Sequence, residues 1–143
     1  MQRALELASH AQTRGEIPVG AVLVEGERIV GEGWNQPVAT CDPTAHAEIL
    51  ALRAAAGRLQ NYRLTGTTVY VTLEPCAMCA GAMVNARICR LVFAARDLRF
   101  GAVRSKFRLA DSELLNHRMV VEEGLFGAEA GEMLRRFFEG RRA

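Results

Sequence analysis

Residues 68–95 read TVYVTLEPCAMCAGAMVNARICRLVFAA and contain two apolar runs on either side of a helical segment. The runs at 68–73 and 91–95 are rich in β-branched and aromatic residues, which predicts strands. Residues 75–86 predict a helix whose start is marked by Pro75. A strand, a helix and a strand within about 30 residues form a βαβ unit, so we expect two parallel neighbouring strands joined by a right-handed crossover.

The flanking sequence extends this unit into an α/β domain. The elements predicted outside the unit are a first helix that ends at Gly15 and Pro18, a hairpin at 19–24 and 28–33, a loop at 35–43, a helix from residue 44, a short strand at 119–121 and a closing helix at 128–138. The helix from residue 44 is apolar nearly all round, which predicts that it is buried. The predicted fold class is therefore α/β, a single domain over residues 1–143 with about five mixed strands and helices on both faces of the sheet.

Composition narrows the class of protein. The chain has 143 residues, of which 50% are hydrophobic, and its formal net charge is +2. No apolar run approaches the roughly 20 residues that a membrane span needs, so no membrane association is expected. The four cysteines are irregularly spaced in a chain long enough to form a core without disulfides, which predicts a reducing, cytoplasmic location.

The small net charge conceals one basic stretch. Residues 87–108 carry seven basic side chains against Asp97 alone, a balance of +6, and the segments on either side each have a balance of −2. Seventeen of the eighteen basic residues are Arg, a side chain that binds phosphates and stacks on bases. The stretch favours contacts with nucleic-acid phosphates, with a solvated charged surface as the alternative.

A metal site is predicted from two short motifs. Cys76 and Cys79 form a C-x-x-C pair at the start of a predicted helix, where the helix dipole favours thiolates and both sulfurs share one face. His46 and Glu48 form H-x-E at the head of another helix, and residues two apart can meet only at a helix end. A redox dithiol or two buried cysteines are the alternatives to a metal site for the C-x-x-C pair.

One nitrogen and two sulfur ligands indicate an open tetrahedral zinc site, with one Zn²⁺ per chain held by His46, Cys76 and Cys79. Cys41 and Cys89 are the less favoured candidates for a fourth ligand. Zinc lowers the pKa of its bound water toward about 7, and a neighbouring group must then carry the proton. Glu48 is the acidic group next to the ligands in sequence, so we expect it to carry that proton; a helix cap is the alternative role.

The sequence resembles the zinc nucleobase deaminases, and among them the bacterial tRNA-specific adenosine deaminases. The blocks that carry the resemblance are GEIPVGAV at 15–22, GWN at 33–35, DPTAHAE at 42–48, QNYRL at 60–64, TLEPCAMCAGA at 72–82, ARD at 95–97, NHR at 116–118 and Phe137-Phe138. The resemblance implies the three-layer α/β/α cytidine-deaminase-like fold. It also implies a homodimer that hydrolyses adenosine to inosine at the anticodon wobble position of a bacterial arginine tRNA, by attack at C6 with Glu48 as proton carrier.

The same resemblance assigns roles to further residues. Asn35 and Asp97 are expected to bind the target nucleoside after it has been flipped out of the RNA stack. The basic stretch, rather than the resemblance, supplies the predicted RNA-contact residues, which are Arg96, Arg99, Arg104 and Lys106. One departure from the family pattern falls in this region, because Arg104-Ser105 followed by Lys106 stands where relatives have a Gly-Ser pair.

Two alternative functions remain open from the sequence. A deaminase of guanine or another free base or nucleoside would use the same zinc motif. A zinc-stabilised RNA-binding module without catalysis would instead need a closed site of four ligands and no role for Glu48.

Overall fold

The computed structural model describes residues 1–142, which form five helices and one five-stranded sheet. The elements in chain order are α1 (Gln2–Thr13), β1 (Gly20–Glu25), β2 (Arg28–Trp34), α2 (Pro37–Thr40), α3 (Ala47–Leu59), β3 (Thr67–Leu73), α4 (Ala77–Ala86), β4 (Arg90–Ala95), β5 (Val120–Glu123) and α5 (Gly127–Arg142). The strand order is β2-β1-β3-β4-β5. Strand β1 is antiparallel to β2 and β3, whereas β3, β4 and β5 run parallel. The predicted hairpin and βαβ unit are both confirmed.

Helices cover both faces of the sheet. Ala21 and Leu23 of β1 belong to a core that also contains residues of α3 and α4. Val22, which points to the opposite face, packs with Ala4 and Leu7 of α1. Helix α5 packs against β4 and contacts α1, so these two helices share that second face. The three-layer α/β/α fold class predicted from the sequence is confirmed.

Two glycines of β2 bring α3 unusually close to the sheet. A Cβ atom on Gly31 would overlap the backbone of Ala51, and one on Gly33 would overlap the backbone of Ala47. The absence of side chains at these two positions therefore allows the first half of α3 to lie directly on the hairpin. This contact places His46, the residue just before α3, beside the end of β3.

Three predictions about local structure were wrong in detail. Residues 35–43 contain the one-turn helix α2, which is too short to show helical periodicity. Helix α3 begins at Ala47 and helix α4 at Ala77, later than predicted, because His46 and Cys76 have extended backbone and serve as N-caps. Pro75 is therefore outside the helix that it was expected to begin.

The sequence predicted that helix α3 is buried nearly all round, and this prediction was wrong. Ala51 and Ala55 are fully buried in the core, but Ala54 is exposed. On another side of the helix, Ile49 and Ala56 line a groove of about 370 Å³ between α3 and α4. The second apolar side of α3 is thus left on the surface of the single chain.

Candidate zinc centre and substrate pocket

The predicted metal ligands meet where the N-termini of α3 and α4 converge. His46 is the N-cap of α3, Cys76 is the N-cap of α4, and Cys79 lies one turn into α4. His46 Nδ1 is 3.7 Å from Cys76 Sγ and 3.5 Å from Cys79 Sγ. Among the described residues these three form the one group of His, Cys, Asp or Glu side chains whose ligand atoms all lie within 4.8 Å of one another.

This arrangement fits a zinc ion. Zn–S distances of about 2.3 Å and Zn–N distances of about 2.0–2.1 Å at tetrahedral angles require N···S separations of about 3.5 Å. The two separations of 3.5 and 3.7 Å meet that requirement without movement of the backbone. Cys41 and Cys89 are both exposed and are not part of the group, so the set has three protein ligands and an open fourth position.

The environment of the two cysteines favours a thiolate, the form of the side chain that binds a metal cation. A hydrogen bond from Cys79, helped by one from His46, lowers the pKa of Cys76 to about 4 although burial opposes the shift. The same bond to Cys76 raises the pKa of Cys79, and burial adds to the effect. The shared bond thus favours one thiolate and one thiol in the pair, and a metal would replace the remaining thiol proton.

Glu48 lies beside the ligands, in the first turn of α3. Its side chain is 4% exposed, and burial raises its pKa to about 6. Glu48 and two of the ligands, His46 and Cys76, line the same cavity of about 290 Å³. The carboxylate is thus accessible to a molecule in the cavity and is protected from bulk water elsewhere.

Asn35 and Asp97 also line this cavity. The Asn35 side-chain oxygen accepts a hydrogen bond of 2.8 Å from the Ala47 backbone N–H, which leaves its amide N–H groups for a ligand. Asp97 Oδ1 accepts from the backbone N–H groups of Arg99 and Phe100 at 3.1 and 3.2 Å. Phe100 completes the wall, and its side chain is largely exposed.

Sequence reasoning missed two buried carboxylates near the cavity. Glu74 and Glu16 are each 2% exposed. Burial alone would raise the pKa of Glu74, but hydrogen bonds from Ser105 and from backbone N–H groups hold it below its usual value. Glu16 accepts the Val38 N–H at 2.8 Å and so anchors α2. A charged residue directly before Pro75, at the end of an apolar strand, was the available signal for Glu74.

The comparisons with known proteins agree with this geometry. Residues 1–95 match the family model described as the cytidine and deoxycytidylate deaminase zinc-binding region. The chain belongs to this family. The deaminase is therefore a zinc-dependent enzyme that acts on C–N bonds, which confirms the cofactor predicted from the two motifs.

Individual relatives refine the match. The deaminase is 54% identical over 143 residues to a tRNA-specific adenosine deaminase of Haemophilus influenzae, covering 99% of this chain and 83% of that one. A solved structure from a study of A-to-I editing by tRNA:A34 deaminases has a TM-score of 0.90 and 43% identity, covering 94% and 97% of the two chains. Guanine deaminase from Nitrosomonas europaea has a TM-score of 0.82 and 27% identity, covering 95% and 81%. The predicted family resemblance is confirmed.

Two of the predicted RNA-contact residues form ion pairs with carboxylates, and two do not. Arg96 pairs with Glu123 at 2.8 Å, and Arg104 forms a half-buried bidentate pair with Asp111 at 3.0 Å. Arg99 and Lys106 have no ion pair within the described part of the chain. Other basic residues of the stretch are also paired, Arg90 with Glu122 and Arg108 with Asp111. Four of the seven basic residues of the stretch are therefore paired, with three acidic residues that follow in sequence.

The zinc centre yields a direct metal prediction. We expect Cys79→Ser to lower bound zinc from about one ion per chain to near zero, because a serine hydroxyl is a poor ligand for zinc. Cys89→Ser and Cys41→Ser are matched controls, since both thiols are exposed outside the ligand group. Elemental analysis of dialysed protein measures the content. Full zinc in Cys79→Ser, or its loss in Cys89→Ser, would contradict this ligand set.

Proposed function

We propose that this deaminase converts adenosine to inosine at the wobble position of a tRNA anticodon, in the cytoplasm, through one deaminase domain spanning residues 1–143. The observation that carries the proposal is the buried Glu48 carboxylate beside an open three-ligand centre in a small cavity. The full-length similarity to a tRNA-specific adenosine deaminase supports the choice of substrate.

The ligands and Glu48 divide the chemistry between them. When bound by His46, Cys76 and Cys79, zinc supplies a water acidic enough to be a nucleophile near neutral pH. The Glu48 carboxylate would carry the two protons of the attacking water in turn, the first to N1 of the purine and the second, released from the hydroxyl added at C6, to the leaving amino group, which departs as ammonia. The pKa of about 6 suits this exchange, because a proton carrier works best when its pKa is close to the operating pH. Adenosine and water are thereby converted to inosine and ammonia.

The cavity walls would hold a single base that has left the stack. A base in a duplex cannot reach atoms at the bottom of a closed pocket, so the target nucleotide must be flipped or lie in a loop. We propose that Asn35 donates to the flipped nucleoside through its free amide N–H groups. Asp97 Oδ2, which is not used in the turn at 97–100, would accept from a ribose hydroxyl.

A second candidate is the deamination of free guanine. The similarity to the Nitrosomonas europaea guanine deaminase favours it, since that chain shares the fold over most of its length. The same zinc centre and carboxylate would serve either ring. The two candidates differ in whether the enzyme needs RNA beyond the base.

One assay separates the two candidates. The zinc-loaded protein is given an anticodon stem-loop with adenosine at the wobble position, or free guanine, or free cytidine, and inosine and ammonia are measured. We expect inosine in the RNA. Guanine turnover with an unchanged RNA would replace our proposal with the second candidate.

In Glu48→Gln the rate should fall by about 10²–10⁴-fold or more, because the proton carrier is lost while the zinc ligands remain.

Zinc content and a control variant accompany this measurement. Glu48→Gln should retain about one zinc per chain. Glu27→Gln, in the exposed turn between β1 and β2, is the matched control and should keep full activity. Near-normal turnover in Glu48→Gln would remove Glu48 from the proposed role.

We propose that RNA is bound by the surface around the rim of the cavity. Arg99 and Lys106 carry charges without ion-pair partners in the described chain, and Phe100 and Phe107 are 70% and 60% exposed beside them. Exposed aromatic rings next to free cations suit splayed bases and their phosphates. Arg96 and Arg104 are expected to contribute less, because each must leave a carboxylate to meet a phosphate.

The salt dependence of RNA binding measures these contacts. We expect the double variant Arg99→Ala and Lys106→Ala to reduce the slope of log K against log salt concentration by about 1 to 2, since two phosphate contacts are lost. Arg28→Ala, at the start of β2, should leave the slope unchanged. An equal slope in the wild type and the double variant would show that these two charges face solvent.

We propose that the protein is a homodimer through the groove between α3 and α4. Ile49, Ala56 and Ala82 line this groove, and Tyr62 at its edge is 72% exposed. Apolar side chains on two neighbouring helices that remain uncovered in the single chain are typical of an interface. A two-fold axis would place the same groove of a second copy against it.

Light scattering at graded concentrations tests the dimer. We expect the mass of two chains for the wild type and of one chain for Tyr62→Asp at low micromolar concentration, because the substitution buries an unpaired charge at the interface. Leu125→Asp is the control, since Leu125 is 47% exposed just before α5, on the other side of the sheet. A dimer that persists in Tyr62→Asp would exclude this groove.

A further inference from the structure

Glu74 lies between β3 and α4 and is surrounded by donors from a later loop. Its Oε2 accepts backbone N–H bonds from Val103, Arg104 and Ser105 at 3.1, 2.7 and 2.9 Å. Its Oε1 accepts from the backbone N–H of Asp97 at 3.1 Å and from the Ser105 hydroxyl at 2.5 Å. One side chain that is 2% exposed thus receives five hydrogen bonds.

The loop at 97–105 folds around this carboxylate. It has no helix or strand of its own, so these bonds replace the backbone pairing that a regular element would provide. Gly101 lies against the carboxylate so closely that a Cβ atom there would overlap it. Glu74 therefore binds both ends of the loop, at Asp97 and at residues 103–105, while bonds to Asp97 hold the turn between them.

Glu74 also connects the loop to the zinc centre. It lies two residues before Cys76, and its own N–H donates to the Ala95 carbonyl at 2.8 Å. Ala102 N–H donates to the Pro75 carbonyl at 2.8 Å. The loop supplies Asp97 and Phe100 to the cavity wall, so Glu74 and the bond between Ala102 and Pro75 together link that wall to the segment that carries Cys76.

We propose that Glu74 is a positioning residue that holds the loop at 97–105 in the shape needed for substrate binding. It acts through Asp97 and Phe100, and neither holds the metal nor moves a proton. Its effect on turnover rests on the proposed function, whereas its effect on the loop does not. Loss of the carboxylate should weaken substrate binding more than it slows the chemical step.

Glutamine is the informative replacement because it has the same shape with one acceptor fewer. Its carbonyl oxygen can take the place of Oε2 and serve the three N–H groups of residues 103–105. Its NH₂ group then faces the Asp97 N–H, so two donors oppose each other and the bond that positions Asp97 is lost. The Ser105 hydroxyl can rotate to accept, and the loop retains some order.

Amide hydrogen exchange of the zinc-loaded protein tests the effect on the loop. In Glu74→Gln, exchange at residue 97 should be at least about 10-fold faster, because its hydrogen bond is lost, and exchange at 103–105 should be faster to a smaller degree, because the acceptor there is no longer charged. Zinc content should stay at one per chain, and exchange in β1 should be unchanged. Unaltered exchange across the loop, or loss of zinc, would overturn the proposal.

Kinetics with the stem-loop substrate test the consequence for binding. We expect KM to rise about 10-fold in Glu74→Gln while kcat changes by less than about threefold, as is typical when a residue acts on binding alone. A lower kcat at normal KM would overturn the positioning role. If the wild type converts guanine alone, the same split is measured with guanine, so failure of the RNA proposal does not affect this test.

Two further variants keep the test decisive. Glu16→Gln is the matched control, because Glu16 is equally buried but binds the single Val38 N–H, which the amide oxygen can still accept. Its exchange at 97–105 should equal that of the wild type.

If Glu74→Gln does not fold, Ser105→Ala removes one of the five bonds and should accelerate exchange in the same loop to a smaller degree. No acceleration in Ser105→Ala would then count against the proposal.

Discussion

The approach of His46 to Cys76 and Cys79 across the N-termini of α3 and α4 is the contact on which the active site depends. The two helices start side by side because β1 and β3 are neighbours in the sheet, and Gly31 and Gly33 let α3 lie close to the hairpin. The exposed N–H groups at both helix starts favour negative charge on the sulfurs. The same convergence buries Glu48 beside the ligands, and burial raises its pKa toward neutrality.

Several arginines of the basic stretch form ion pairs with acidic residues of a later segment. The basic stretch at 87–108 meets acidic residues from 111–123, so Arg90, Arg96 and Arg104 each lie against a carboxylate. Of the predicted RNA-contact residues, Arg99 and Lys106 are the two without an ion pair in the described part of the chain.

The βαβ unit and the zinc ligands could be predicted because both depend on short-range patterns. Strand and helix propensities of residues 68–95 act locally, and the spacing of Cys76 and Cys79 reflects the geometry of one helix turn. Helix starts were less accurate, since His46 and Cys76 have extended backbone and act as caps. The groove beside α3 was missed because an apolar helix looks the same in sequence whether its second side meets the core or a partner.

The sequence by itself determined the class of fold and the identity of the metal, because both depend on residue types at fixed local spacing. Tertiary structure alone decided which charges are free and what holds the cavity wall. Glu74 binds donors 23 to 31 residues away, and Arg96 pairs with a carboxylate 27 residues away. Such partners are chosen by how the chain folds back on itself, and no local pattern contains that information.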